Sequence, residues 1–195
     1  MPNWCSTTIV FYHNGTKAGE TALEDLHSKI LEYTKAPSRV KNGFGPKWLG
    51  NVVDGFGIDW ETVECRGEII DVSSVDDDSG RRAFRVYTET AWGPMPDMWW
   101  QIICAMYPGL VHFVYMAEEP GNGVFVNTDR DGIFFPDRYR AAIEDGDDFY
   151  EEYFCSDEEL EKFLKEKYGI EESTLDSARK KAVEFGCCVD EYENR

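Results

Sequence analysis

The order of strand-like and helix-like segments in the first 118 residues constrains this chain more than any other feature. Ser6–Tyr12, "STTIVFY", is β-branched and aromatic and ends in the turn "HNG", which predicts a strand. In "ETALEDLHSKILEY", Thr21 with Glu24 reads as a capping box, and Leu23, Leu26, Ile30 and Tyr33 recur at helical spacing. "CRGEIIDVSSV" and "RRAFRVYTETAW" flank the turn "DDDSG" and predict two strands. In the second, Phe84, Val86 and Thr88 alternate with Arg85, Tyr87 and Glu89. "PMPDMWWQIICAMYPG" predicts a second helix with Pro96 in its first turn and Trp99, Ile102, Ile103 and Met106 at core spacing. "LVHFVYMAEE" is the next strand. The resulting order, β-α-loop-β-β-α-β, is that of an α+β ferredoxin-like sandwich: an antiparallel sheet with two helices on one face.

Two segments elaborate this frame. Residues 37–62 carry Gly43, Gly45, Gly50, Gly55 and Gly57 with Pro37 and Pro46, a density that argues against regular structure. Phe44, Trp48, Leu49, Val52, Val53, Phe56, Ile58 and Trp60 are interleaved with them, so the stretch reads as an ordered Gly/aromatic insertion. "GVFVNTDRDGIFF" reads as an extra hairpin closed at Asp129–Gly132. Composition then shifts, which divides the chain into a ferredoxin-like domain, 1–136, and an acidic helical C-terminal appendage, 137–195. There Ser156 and Glu159 form a capping box, Leu160, Phe163, Leu164 and Tyr168 follow, and Gly169 stops the helix. Ser173 opens a last helix that runs through Leu175, Ala178, Ala182 and Phe185 to Gly186.

Charge narrows the function classes. A net charge of −18, from 38 acidic and 20 basic residues, disfavours nucleic acid and anionic membrane surfaces as partners. No apolar run is long enough to predict a transmembrane helix. The first residues lack the basic and apolar regions of a signal peptide, so a cytoplasmic location is expected. Cys5, Cys65, Cys104 and Cys155 are scattered and read as reduced, mostly core thiols.

"MPNWCS" at the start, "CRGEI" at Cys65–Ile69, "TETAW" at Thr88–Trp92 and "AEEPGNG" at Ala117–Gly123 together resemble the YubB-like family. Its members are ferredoxin-like-domain proteins of unknown function from plasmids, phages and other mobile elements. "FGPKW" at Phe44–Trp48 is similar to that family's aromatic-Gly-x-Lys-Trp stretch, with Phe44 and Pro46 as variations. The resemblance covers roughly residues 1–125. It implies the fold and a mobile-element setting, and it carries over no catalytic residue.

Candidate chemistry is sparse. "NTDRDG", Asn127–Gly132, imitates the start of a calcium loop, but Arg138 stands where a bidentate glutamate is needed. Asp76–Gly80 reads as a solvated turn. Glu118 and Glu119 sit on opposite strand faces and form no dyad; Arg66 or Lys47 is a candidate ion-pair partner for one of them. His13, His27 and His112 fit no triad, and Cys5 and Cys65 lack an identifiable base. No metal and no cofactor are expected. Trp99 and Trp100 face about 100° apart on a helix, which leaves Trp100 as a candidate exposed anchor. The most unusual feature is Glu144–Glu161, with ten acidic residues and no basic one. Asp147, Asp148, Glu151 and Glu152, with Phe149, Tyr150 and Tyr153 between them, are the candidate partner-binding residues. The expected function is a non-enzymatic protein-binding accessory factor of a mobile element. Its partner would be a host protein with a basic surface, and the acidic block a mimic countering a nucleic-acid-binding or defence protein. The alternatives are an enzyme acting on a small molecule or nucleotide in a cleft beside the Gly-rich loop, and a nucleic-acid-binding module.

Overall fold

Cys5, Thr7, Ile9 and Phe11 alternate into the interior along β1 (Trp4–His13), the period that gives a strand one core face. This computed structural model describes residues 3–146 and 148–193. The chain divides into two compact units, Met1–Val124 and Phe125–Arg195. The first continues with α1 (Lys17–Tyr33), α2 (Leu49–Gly55), β2 (Gly67–Val72), β3 (Asp76–Asp78), β4 (Arg81–Ala91), α3 (Pro96–Met106) and β5 (Val111–Glu119). β1 is antiparallel to both β4 and β5, β2 flanks β4, and the order is β2-β4-β1-β5. Phe11 lies opposite Phe84 and Phe113, and the Phe11 and Phe84 rings stack at 5.1 Å. Leu23, Leu26 and Ile30 of α1, Val52 and Val53 of α2, and Met98, Trp99 and Ile102 of α3 join the same core. Each such side chain contributes roughly 1.5–3 kcal/mol when fully buried.

Local details depart from the sequence reading for identifiable reasons. α1 starts at Lys17, capped by Thr16 rather than Thr21. Asn14 Oδ1 accepts from both the backbone and the hydroxyl of Thr16, which sets the cap one turn earlier. The Gly/aromatic stretch contains the helix α2, because its glycines there admit rings instead of breaking the backbone. A Cβ on Gly50 would stand 2.2 Å from the Trp48 ring, and one on Gly55 2.3 Å from the Tyr33 ring. The insertion also runs along β2: the Ile69 N–H donates to Lys47 O at 2.9 Å and Trp48 bridges Glu68. That covers an edge strand. The three aspartates of "DDDSG" form β3 opposite β4, and the turn is Ser79 and Gly80 at φ 52° and 78°, as a two-residue hairpin requires. In α3, Trp99 is buried and Trp100 is 61% exposed; Met98 is buried, whereas Met106, expected in the core, is exposed at the helix end. Cys5 and Cys65 are buried, whereas Cys104 and Cys155 are exposed.

The second unit corrects the helical appendage. β6 (Val124–Asn127) begins on the last residue of the first unit. It is followed by β7 (Tyr139–Asp145), β8 (Asp148–Phe154), α4 (Asp157–Tyr168), α5 (Leu175–Ala182) and β9 (Cys187–Glu191). β7 is the middle of an antiparallel sheet, β8-β7-β9. Tyr139, Ala141 and Ile143 of β7 pack with Phe154, Leu160, Leu164 and Ala182. The hairpin expected at Asp129–Gly132 is absent, because side chains claim the backbone groups that a second strand would use. Asn127 Nδ2 donates to Phe135 O and Asp137 O, and the Asp129 carboxylate accepts from the N–H groups of Phe134 and Phe135. The Ser156 hydroxyl accepts from the Glu159 N–H as expected, the Glu159 carboxylate reaches back to the Cys155 N–H rather than to that of Ser156, and Gly169 closes α4 at φ 67°. α5 is capped by Thr174, one residue beyond the expected Ser173.

On the sheet face away from α4 and α5, Arg140 is buried, its side chain 6% exposed, between Glu151 and Asp190. Its guanidinium lies 5.5 Å from the centre of the Phe125 ring. The hydrogen bond from Arg140 holds the Glu151 carboxyl below its ordinary range, while burial lifts that of Asp190 against the pull of Arg140. Removing one partner of a buried ion pair leaves charge uncompensated.

Two stability outcomes follow from these contacts. A Cβ on Gly67 would meet Glu89 O at 2.3 Å, whereas Gly45 has nothing within 4 Å. Gly67→Ala should therefore cost about 1–3 kcal/mol in denaturant unfolding, and Gly45→Ala should stay within about 0.5 kcal/mol. Equal effects would contradict the close approach. Arg140→Met should cost about 3 kcal/mol at pH 7. The depressed Glu151 contributes stability above its unfolded value, lost as pH falls through the folded one. The raised Asp190 works in the opposite sense, contributing below its unfolded value and losing that as pH rises. Without the guanidinium both carboxyls titrate upward, so the deficit of Arg140→Met should shrink between pH 7 and pH 4. A pH-independent deficit would contradict the pairing.

Candidate functional site

Asn3–Ser6, Cys65–Ile69, Thr88–Trp92 and Ala117–Gly123 meet at one end of the first sheet. The Asn3 side chain lies so close to the turn after β5 that a Cβ on Gly121 would stand 2.7 Å from its Nδ2. The Asn3 carbonyl accepts from the Trp92 N–H at 2.9 Å. Glu119 is buried, and its carboxylate accepts from the N–H groups of Gly121 and Asn122 at 3.0 and 2.6 Å. It caps a turn and pairs with neither Arg66 nor Lys47. Arg66 contacts Glu64, and Lys47 donates to Ile70 O. The Thr90 hydroxyl reaches Gly93 O and Cys5 O, and Gly67 packs directly on the β4 backbone. These residue types are explained by turn capping and close backbone approach.

Beside this knot lies a groove of about 940 Å³, lined by Trp4, Phe44, Trp48, Trp60, Cys65, Arg66 and the carboxylate-bearing Glu61, Glu64 and Glu68. It takes shape because three chain segments converge there. β1 starts with Trp4, the insertion supplies Phe44 and Trp48, and a short 3-10 turn, Trp60–Thr62, leads into β2. The rings form a connected wall. Phe44 and Trp48 centroids are 5.1 Å apart, as are those of Trp48 and Trp60. Trp4 and Phe44 remain 53% and 59% exposed. Next to this end, Trp92 adopts φ 73° with its ring half exposed. The left-handed region costs a bulky residue about 1–2 kcal/mol, and burying the ring does not offset that cost. The Cys65 thiol is pushed up by burial and lies against the Trp60 carbonyl oxygen at 3.7 Å. Cys5 is likewise raised by burial. Both environments hold the thiol form, the reverse of what activates a nucleophile. The groove is equipped to hold a ligand by ring faces and charge.

The sheet face away from the helices tests the nucleic-acid alternative. One row across the strands reads Glu68, Glu89, Ser6 and Glu118. Further along, Arg85 is bonded to Asp78 at 2.7 Å and Arg81 lies over the Tyr12 ring. A phosphate backbone meets carboxylates at one end and, at the other, one guanidinium already paired with a carboxylate and one lying over a ring.

The predicted partner-binding residues are divided by the strand period. Asp147 lies outside the described residues. Phe149, Glu151 and Tyr153 of β8 share the sheet face that bears Arg140 of β7; Asp148, Tyr150 and Glu152 alternate with them. Phe149 is 61% exposed and Tyr153 42%. Glu151 is held by Arg140 and by the Tyr153 hydroxyl. Tyr150 packs against the second core with Lys167 over its ring at 4.6 Å. Trp100 is exposed on α3 of the other unit and meets Phe113 edge-on. The sequence shows the rings of residues 44–60, and Trp4 beside them at the sheet's end, but not that Glu61, Glu64 and Glu68 join them. The available signal was the acidic spacing around Cys65. No helix among the described residues is long and apolar enough to cross a membrane. No family model, curated protein or solved structure matches this chain.

Proposed function

We propose that this chain is a non-enzymatic, protein-binding accessory factor whose partner presents a basic surface to β8. The observation that carries the reading is the nature of that strand. β8 lies at the edge of its sheet, where unpaired backbone groups can receive a further strand. Phe149 and Tyr153 stand exposed on one of its faces, and Asp148 and Glu152 on the other. Asp145 and Asp148 are paired directly across the hairpin, a like-charge contact that costs stability and that a cationic partner would relieve. Aromatic anchors among charges that steer association are the usual chemistry of such a surface.

The setting we infer is that of the YubB-like family: a ferredoxin-like first unit, a mobile-element gene, a cytoplasmic location and a host nucleic-acid-binding or defence protein as target. Support for the fold reading is the strand order β2-β4-β1-β5 with α1 and α3 against one core, which is the order that a βαββαβ chain gives this sandwich. Support for the family is the meeting of its characteristic segments around Asn3, Gly67, Thr90 and Glu119. The enzyme alternative draws on the groove beside the Gly-rich insertion; burial pushes the Cys65 thiol up there, which favours binding over covalent chemistry.

Affinity capture from host lysate with the full chain should retain a basic protein, with retention falling as salt rises. Phe149→Ser combined with Asp148→Asn and Glu152→Gln should reduce that retention at least tenfold while leaving the melting profile near that of the parent. Retention unchanged by these substitutions, or no salt-sensitive partner, would overturn the proposal.

A further inference from the structure

We propose that the aromatic groove of the first unit binds an organic cation, an ammonium group borne on an apolar body. The proposal is independent of the β8 surface and rests on three features. The first is the ring wall: Phe44, Trp48 and Trp60 run centroid to centroid at 5.1 Å, and Trp4 adds a fourth ring to the lining. Ring faces attract cations through their quadrupole, tryptophan most strongly. The second is charge. Glu61, Glu64 and Glu68 line the groove against Arg66, which is itself in contact with Glu64 at 3.5 Å. The lining is therefore net anionic, and an anion or phosphate is excluded by the same count. The third is size and exposure. A volume of about 940 Å³ exceeds what an ammonium head alone fills and falls in the range of small-molecule sites. Trp4 and Phe44 are more than half exposed, so the ring faces are open to a ligand and not consumed by the core.

The apolar lining and the anionic rim select together. A hydrated metal ion gains nothing from tryptophan faces and loses its water shell there. A neutral apolar molecule gains the rings but not the carboxylates. A hydrophobic cation gains both, and its soft, weakly hydrated charge leaves water at little cost.

The test is a titration of the full chain followed by tryptophan fluorescence, with acetylcholine as probe and 3,3-dimethylbutyl acetate as its neutral isostere. Acetylcholine should give a saturable change, and the isostere should bind at least tenfold more weakly. Trp4→Leu and Phe44→Leu, both at exposed positions, should each weaken acetylcholine binding several-fold with an unchanged circular dichroism spectrum. Glu61→Gln with Glu64→Gln and Glu68→Gln should weaken it further and flatten its salt dependence. Equal binding of the isostere would make this a plain apolar groove and overturn the proposal. So would acetylcholine binding that survives both ring substitutions, or no saturable change at all.

Discussion

The first unit depends on β1 being paired along both sides from its first residues. Trp4 is opposite Ala91, and Ser6 is opposite both Glu89 and Glu118. A strand start normally frays, because its backbone groups have water as an alternative partner. Here Asn3 ties to Trp92 and to the turn after β5, and Thr90 ties to the β1 backbone. The helices then pack on a sheet whose centre is fixed, and the insertion closes over β2. The aromatic groove follows from that anchoring. Trp4 is held at the rim by its backbone pairing, so its ring need not be buried to be ordered.

The two units handle charge differently. In the first, carboxylates next to arginines are neutralised locally, as with Asp78 and Arg85. Further carboxylates line the groove and stand in the row of Glu68, Glu89 and Glu118. In the second, Arg140 sits under the sheet face and balances Glu151 and Asp190, while Asp145 and Asp148 are left facing each other at the hairpin end. A net charge of −18 is thus arranged as local surfaces that repel phosphate and attract cations. That distribution supports cationic partners for both candidate surfaces.

Much of the first unit was legible because its periodicities are strong. Leu23, Leu26 and Ile30 mark α1, and the Phe84 and Val86 alternation marks β4. The helix α2 was hidden because Gly50 and Gly55 read as breakers, when their role is to admit the rings of Trp48 and Tyr33. β7 and β8, "YRAAIED" and "DFYEEYF", were hidden because alanine and acidic residues have low strand propensity. Their stability comes from Ile143 and Phe154 in the core and from Arg140, a long-range arrangement that no local window contains. The acidic surface was found by composition, but its division between two strand faces was not visible without the register. The groove joins residues 4, 44–48 and 60–68, and a sequence shows such a convergence only after the sheet order is known.

Amide hydrogen exchange on the free chain tests the central claim most directly: an anchored first strand, and an open acidic edge in the second unit. The amides of Cys5–Phe11 should exchange as slowly as those of β4, near the limit set by unfolding of the unit. Those of β8 should exchange markedly faster than those of its neighbour β7. A β1 that exchanges like a fraying terminus, or a β8 as protected as β7, would contradict the account.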